Sequence, residues 1–369
     1  MSVAVSEMFS RFTLHHTRAL GRRLVHSKRT VLSGIQPTGI PHLGNYLGAL
    51  SNWVKLQEAS DPQDDLLFMI VGWHALTLPQ NPKELAASRW DMLATLLAIG
   101  LDPKRSIIFH QDHNQDHLEL GWLMNCLTPV GKLLRMTTWK SRIATSRNAE
   151  ESDVDESLLN AGLLTYPSLQ AADILVYRAT HVPVGEDQTQ HLELTRDLAE
   201  AFNRTCKSEH PLFPLPTLVD TPTRRILSLK DPTAKMSKSA PDVRSRILLT
   251  DTPSQIQAKI RGAVTDTTLG VTYDPINRPG AANLLSILAA CTNEDVNTVA
   301  TRYESTGHKE LKADVAEAVV ELLRKPQGEF SRIREERVYL VQVADEGARK
   351  AKELSSETMR HVRDRLGLC

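Results

Sequence analysis

Cysteine is scarce in this chain, and its spacing offers no structural clip. Cys126, Cys206, Cys291 and Cys369 are far apart and no C-x-x-C occurs. That excludes zinc-knuckle spacing and leaves single thiols of a reducing compartment as the default. Long apolar runs are absent too: none reaches the roughly 18 residues of a membrane-spanning helix. Net charge is missing, because 44 Lys and Arg balance 44 Asp and Glu. Any contact with a polyanion must then come from local basic patches rather than a global field. Acids are nearly absent from residues 1–30, where Arg11, Arg18, Arg22, Arg23, Lys28 and Arg29 face Glu7 alone, six against one for a net of +5. An Arg-, Ser- and His-rich start of this kind reads as a mitochondrial transit peptide over residues 1–29, and so as a protein of the mitochondrial matrix. The alternative is a retained basic arm that touches RNA.

Common signatures of nucleotide binding and nucleophilic catalysis are also missing. There is no G-x-G-x-x-G, no Walker loop and no G-x-S-x-G. Residues 31–50 instead begin as an apolar strand, break at Gly34, Pro37, Gly39 and Pro41, and resume as a helix from about Leu43. A strand, a Gly-rich turn and an open helix N-terminus make an anion site, since free N–H groups and the helix dipole both face the ligand. His42 and Asn45 flank that opening as donors toward phosphate. Gly44 and Gly48 lie one helical turn apart and leave backbone bare for a bulky ligand. A second charged element, Lys235-Met236-Ser237-Lys238-Ser239, follows Pro232. Two ammonium groups on such a loop can close over a triphosphate and neutralise developing charge.

The pattern between these elements is α/β. Residues 66–71 and 106–110 read as buried parallel strands, and residues 82–99 as a helix with proline at its first position. Strand–helix alternation predicts a Rossmann-like doubly wound parallel sheet. His74 follows the second strand at its carboxyl end, where such sheets bind ligands. Residues 116–127 and 131–139 read as helices, 146–157 as a solvated acidic loop, 188–202 as a helix, and 224–229 as a strand. Pro167 reads as the opening of a helix that carries Asp173. From about Ser245 the pattern is helical, with Thr252-Pro253 as a start signal. The expected organisation is a catalytic domain over 30–244, with a helical insertion at about 111–165, and a C-terminal all-helical domain over 245–369.

Several blocks then carry a resemblance. Pro41-His42-Leu43-Gly44-Asn45 is similar to the His-Ile-Gly-His signature of class I aminoacyl-tRNA synthetases, and residues 235–239 match that class's second signature. With Ser33-Gly34-Ile35-Gln36-Pro37, Gly162-Leu163-Leu164-Thr165-Tyr166-Pro167, Ala171-Ala172-Asp173-Ile174-Leu175 and Val182-Pro183-Val184-Gly185-Glu186-Asp187-Gln188, the chain resembles the tryptophanyl-tRNA synthetases of bacteria and organelles.

The resemblance implies a two-step ligase. Tryptophan's carboxylate attacks the α-phosphate of ATP, and the tryptophanyl group then passes to the terminal ribose of tRNA(Trp). No protein nucleophile is required, which suits the missing motifs; catalysis is positioning plus charge stabilisation. Lys235 and Lys238, aided by Ser237, are expected to stabilise the leaving pyrophosphate, with His42 and Asn45 on the phosphates. The expected ATP site adds Gln36, Pro37, Thr38, Gly44, Gly185, Glu186, Asp187, Ile226, Met236 and Ser239. Asp187 would accept from ribose and Ile226 would meet adenine through its backbone. The expected tryptophan site is Asp173, Tyr166, Gln188, Gln36, His74, Leu32, Val182 and Val184. Indole has one polar atom, an N–H that only donates, so a carboxylate at Asp173 in an otherwise apolar pocket would pair with it and reject phenylalanine. Tyr166 and Gln188 fall near the α-ammonium. Leu32 and Gln170 depart from bacterial relatives at the border of the pocket.

Magnesium is expected to arrive with ATP, without a protein metal site. The insertion implies a homodimer. Lys309, Lys312, Arg324, Arg332, Arg334 and Arg337 are candidate RNA contacts in the helical part, which the resemblance makes the anticodon reader. Competing readings are a tyrosyl-tRNA synthetase, a silent RNA-binding protein on the same scaffold, and a nucleotidyltransferase that acts without tRNA.

Overall fold

The computed structural model describes residues 28–369 apart from 137, 148–156, 158, 186–187, 220–224 and 239. Five strands, β1 (Thr30–Ile35), β2 (Asp65–Ile70), β3 (Ile107–His110), β4 (His181–Pro183) and β5 (Thr217–Val219), form one sheet in the order β3-β2-β1-β4-β5. Every pairing is parallel. The order reverses between β1 and β4, and such a switch point opens a crevice beyond the carboxyl ends of the strands.

Both faces of the sheet are covered, and the residues alternate accordingly. Val31, Leu66, Phe68 and Ile70 join a core that runs on into the C-terminal helices as far as Ala344. Leu32, Leu67, Met69 and Phe109 face a second core, under the helices Ala161–Leu175 and Thr189–Thr205. The sheet therefore joins two packed layers.

Local signals account for several helix starts. Asn81 caps Pro82–Ala98 by accepting from the N–H groups of Lys83 and Glu84. Thr252 and Gln255 form a reciprocal capping box on Pro253–Arg261. The C-terminal part consists of Pro279–Thr292, Val296–Thr301, His308–Glu335 and Arg337–Leu366. The last of these lies along β3 so closely that a Cβ at Gly347 would meet the Ile108 carbonyl at 1.9 Å. Glycine at that position lets the helix touch the sheet edge.

Several expectations are corrected. Residues 225–229 form no strand; a single bridge joins Leu227 to Lys235. The fifth strand is Thr217–Val219, three partly exposed residues beside Pro216, too short for an apolar pattern to mark. Pro167 lies inside the helix Ala161–Leu175, whose actual cap is Asn160, bonded to the Leu163 N–H at 2.8 Å. The segment read as 131–139 divides into Val130–Leu134 and Thr138–Arg147. The start of the first helix is not regular: Leu43–Asn45 passes into a π-helical turn, Tyr46–Leu50, before Ser51–Ala59. Arg29, at the end of the segment read as a transit peptide, donates from Nε and Nη2 to Oδ2 of buried Asp64 at 2.9 and 2.6 Å. The rest of that segment, residues 1–27, lies outside the described residues, as does most of the loop read at 146–157.

Candidate active site

Beyond the carboxyl ends of β1 and β4 lies a cavity of about 290 Å³. Its walls include Leu32, Gln36, His74, Asp173, Val182, Val184, Gly185 and Gln188, all expected from the sequence, together with Gln170. Leu32 ascends from β1 and Val182 from β4, and Val184 stands just past β4. Arg142 also lines the cavity, and its guanidinium lies 4.2 Å from the centre of the Tyr166 ring. Tyr166 itself stands behind the wall. Its hydroxyl meets His191 Nε2 at 3.0 Å, and His191 Nδ1 meets Gln188 Oε1 at 2.8 Å. Tyr166 therefore reaches the cavity through Gln188.

Asp173 differs most from expectation. It is 0% exposed, and its surroundings are polar rather than apolar. His74 Nε2 donates to Oδ2 at 2.7 Å and His117 Nδ1 to Oδ1 at 2.7 Å, since a carboxylate only accepts. Gln111 Nε2 forks onto both oxygens at 2.7 and 2.9 Å. Burial alone would raise the Asp173 pKa. The His74 charge and the hydrogen bonds from His117 and His74 outweigh it and hold the carboxyl below its usual range. Four contacts occupy the four lone-pair positions, so an incoming N–H has to displace one, and the longer Gln111 contact is the weakest. Sequence reasoning missed Gln111 and His117. The rule that singled out His74, a polar residue just past the carboxyl end of a strand, singles out Gln111 after β3 equally well.

A second cluster adjoins the cavity at Gln36. His42 is buried at the start of the first helix. Its Nδ1 accepts from the Asn45 N–H at 3.2 Å, and Asn45 Oδ1 accepts from the His42 N–H at 3.2 Å. That reciprocal cap assigns the proton of neutral His42 to Nε2, which is left as a donor. Burial first, then the charges of Lys238, Lys235 and Arg246, lower the His42 pKa to about 4. The face of Gly44 is not bare: a Cβ there would lie 3.1 Å from the His42 ring and 3.5 Å from Met236. Gly48 is buried in the π turn.

The lysine loop rests on this cluster. Lys238 Nζ donates to the carbonyls of Thr38 at 3.1 Å and Gly39 at 2.8 Å, and burial lowers its pKa to about 8. Met236 is a core side chain, and its N–H donates to the Ile226 carbonyl at 3.1 Å. Lys235 is exposed and bridged to Leu227. Pro37 lies in the same turn, and Ser237 follows Met236 on the loop. Glu186, Asp187 and Ser239 lie outside the described residues.

A sheet of this order, with a capped His-x-Gly-Asn turn facing a lysine loop, is the arrangement that the resemblance to class I synthetases implies. Comparison with known proteins agrees. The model for tRNA synthetases class I (W and Y) matches residues 25–324. The mitochondrial tryptophan–tRNA ligase of Schizosaccharomyces pombe is 42% identical over 94% of this chain and 96% of its own length. The crystal structure of tryptophanyl-tRNA synthetase from Mycoplasma pneumoniae superposes with a TM-score of 0.81 at 34% identity, covering 93% of this chain and 99% of that one. The Campylobacter jejuni tryptophanyl-tRNA synthetase, solved with ADP and tryptophan, gives a TM-score of 0.75 at 29% identity, covering 92% and 100%. The chain belongs to the class I tRNA synthetases of the tryptophan and tyrosine family. Within that family it groups with the tryptophan–tRNA ligases.

Proposed function

We propose that this chain activates L-tryptophan with ATP and transfers it to tRNA(Trp) in the mitochondrial matrix. The observation that carries the reading is the juxtaposition of the Asp173 cavity with the His42 turn and the lysine loop at one switch point. In the first step the substrate carboxylate, already ionised, attacks the α-phosphorus of ATP and pyrophosphate leaves. In the second, the terminal ribose hydroxyl of tRNA attacks the mixed anhydride and AMP leaves. The protein holds the reactants and stabilises charge. Asp173 accepts the indole N–H, with Leu32, Val182 and Val184 against the ring. Gln36 and Gln188, the latter set by His191 and Tyr166, face the α-ammonium. The neutral His42 donates from Nε2 to phosphate, and Asn45, Gly44, Pro37 and Thr38 shape the turn beneath it. Lys235 and Lys238, with Ser237, take the pyrophosphate charge. Lys238 is then drawn from the Thr38 and Gly39 carbonyls to phosphate oxygens.

Magnesium comes in on the phosphates of ATP. Among the described residues no three His, Cys, Asp or Glu side chains converge as a cage, and no step is assigned to the metal. The mitochondrial reading is supported by the name of the fission-yeast relative and by the basic first thirty residues. A homodimer is supported by an exposed apolar patch in the helical insertion, where Trp122 is 68% exposed beside Leu76 and Leu118. The helical part from about residue 245 is proposed to reach the anticodon. Its candidate cations are largely engaged within the chain: Arg334 with Asp91, Arg332 with Glu329 and Glu336, Arg324 with Glu321, and Arg337 over Trp90. Lys309 lines a cavity of about 710 Å³ with Arg261 and with Lys312, whose Nζ donates to the Ala263 carbonyl at 2.8 Å, and this face is favoured for RNA.

The test is ATP–pyrophosphate exchange by residues 28–369 with tryptophan, tyrosine or no amino acid. Exchange with tryptophan alone is expected. Exchange with tyrosine would contradict the assignment of the pocket, and a folded, RNA-binding protein without exchange would favour the silent scaffold.

A further inference from the structure

A buried polar chain leads from the amino-acid pocket to the C-terminal helix. It begins at Asp173, which accepts from His117 Nδ1 at 2.7 Å. His117 Nε2 lies 2.8 Å from the Tyr177 hydroxyl. That hydroxyl accepts from Asn114 Nδ2 at 3.1 Å, and the same amide donates to Ser355 Oγ at 2.9 Å. Ser355 Oγ lies 2.6 Å from Asp116 Oδ2, and Lys352 Nζ meets Asp116 Oδ1 at 2.6 Å. Ser355 is 0% exposed and stands on the C-terminal helix Arg337–Leu366, more than 180 residues along the chain from Asp173.

Only one direction of donation satisfies every group. Carboxylates accept, so the Ser355 proton points to Asp116 and the proton on His117 Nδ1 points to Asp173. Ser355 must then accept from Asn114, whose orientation is fixed independently because its Oδ1 accepts the Asp116 N–H at 3.2 Å. The Tyr177 hydroxyl accepts from Asn114 and has one proton left to give. Among the described residues its other partner is His117 Nε2, so the Tyr177 proton points to that nitrogen. The chain is thus ordered from one buried carboxylate to the other, and each link determines the next. Gly347 places the helix against β3, close enough for Ser355 to reach Asn114.

We propose that the C-terminal helix is part of the amino-acid site, and that Ser355, Asn114, Tyr177 and His117 are positioning residues that orient the Asp173 carboxylate toward the indole N–H. The proposal rests on the reading of Asp173 as the indole acceptor. Loss of a distal link lets His117 shift its proton or ring, so the Asp173 acceptor is no longer fixed. The cost falls on discrimination by that acceptor and not on phosphate chemistry.

The experiment compares tryptophan with the analogue in which sulfur replaces the ring N–H, by ATP–pyrophosphate exchange, in the full chain and in Asp173→Asn, Tyr177→Phe and Ser355→Ala. Both distal variants keep the shape of the side chain apart from one oxygen. The wild type is expected to prefer tryptophan and Asp173→Asn to lose that preference. Tyr177→Phe and Ser355→Ala are each expected to reduce it about fivefold, the worth of one ordinary hydrogen bond. That loss should appear in KM for tryptophan, with kcat and KM for ATP unchanged. A merely structural role would lower the melting temperature and leave the preference intact. If Asp173→Asn keeps the preference, the indole-acceptor reading fails. If Asp173→Asn loses it while both distal variants retain it in full, the reading stands and the relay is overturned.

Discussion

The two halves of the active site are built in opposite ways. Around Asp173 both carboxylate oxygens are buried and paired, three side chains converge on them, and a chain of hydrogen bonds anchors the group to a distant helix. Around the phosphate turn the loop is pinned through Met236 while Lys235 stands exposed, and Lys238 rests on two backbone carbonyls that phosphate can replace. On the proposed assignment of indole to Asp173 and triphosphate to the lysine loop, the difference follows from the ligands. Indole presents one weak donor on an apolar ring, and only a rigid, desolvated acceptor discriminates on so little. A triphosphate carries several charges that change through the reaction, and mobile cations can follow them.

Removing a cation from the loop should have the largest effect. Lys235→Ala is expected to lower exchange about 10²–10³-fold, the usual cost of a lost charge-stabilising group, with KM for tryptophan unchanged. A comparable rise in KM for tryptophan would mean that the halves are not separate. Next in size, Asp173→Asn should raise KM for tryptophan about 10–100-fold, the range for a hydrogen bond to a charged group, and leave KM for ATP alone. Steady-state kinetics with each substrate varied in turn reads both.

The smallest effect is a pH dependence confined to the phosphate half. The Lys238 ammonium, with its pKa lowered to about 8, is charged below that pH and neutral above it. kcat/KM for ATP, which reports the free enzyme, should therefore fall above about pH 8, approaching tenfold per unit. Lys238→Arg should move that fall to higher pH, because guanidinium stays charged. His42, with its pKa lowered to about 4, stays neutral throughout this range and adds no limb. A fall that Lys238→Arg leaves in place would assign it to another group.

The same contrast decided what could be read from the sequence. The phosphate half is local and was legible: His42, Gly44 and Asn45 are adjacent, the strand before them is apolar, and the lysine loop is contiguous. The sheet was legible wherever strands are buried on both faces, as at Leu66 and Phe68. It was not legible at Thr217–Val219, a short edge strand held by β4 rather than by its own pattern. In the amino-acid half Asp173, His74 and the two valines were found singly. Their company was not, because Gln111, His117 and Ser355 come from separate elements and meet only through tertiary packing. Met236 was read with the loop's chemistry, yet its side chain serves the core, a role that its neighbours Lys235 and Ser237 obscure.

The most direct test is to titrate tryptophan and a non-hydrolysable ATP analogue separately into the wild-type protein, Asp173→Asn and Lys238→Ala by calorimetry. The division of labour described here predicts that Asp173→Asn loses tryptophan binding and keeps the nucleotide, while Lys238→Ala does the reverse. Loss of both ligands in both folded variants would contradict it.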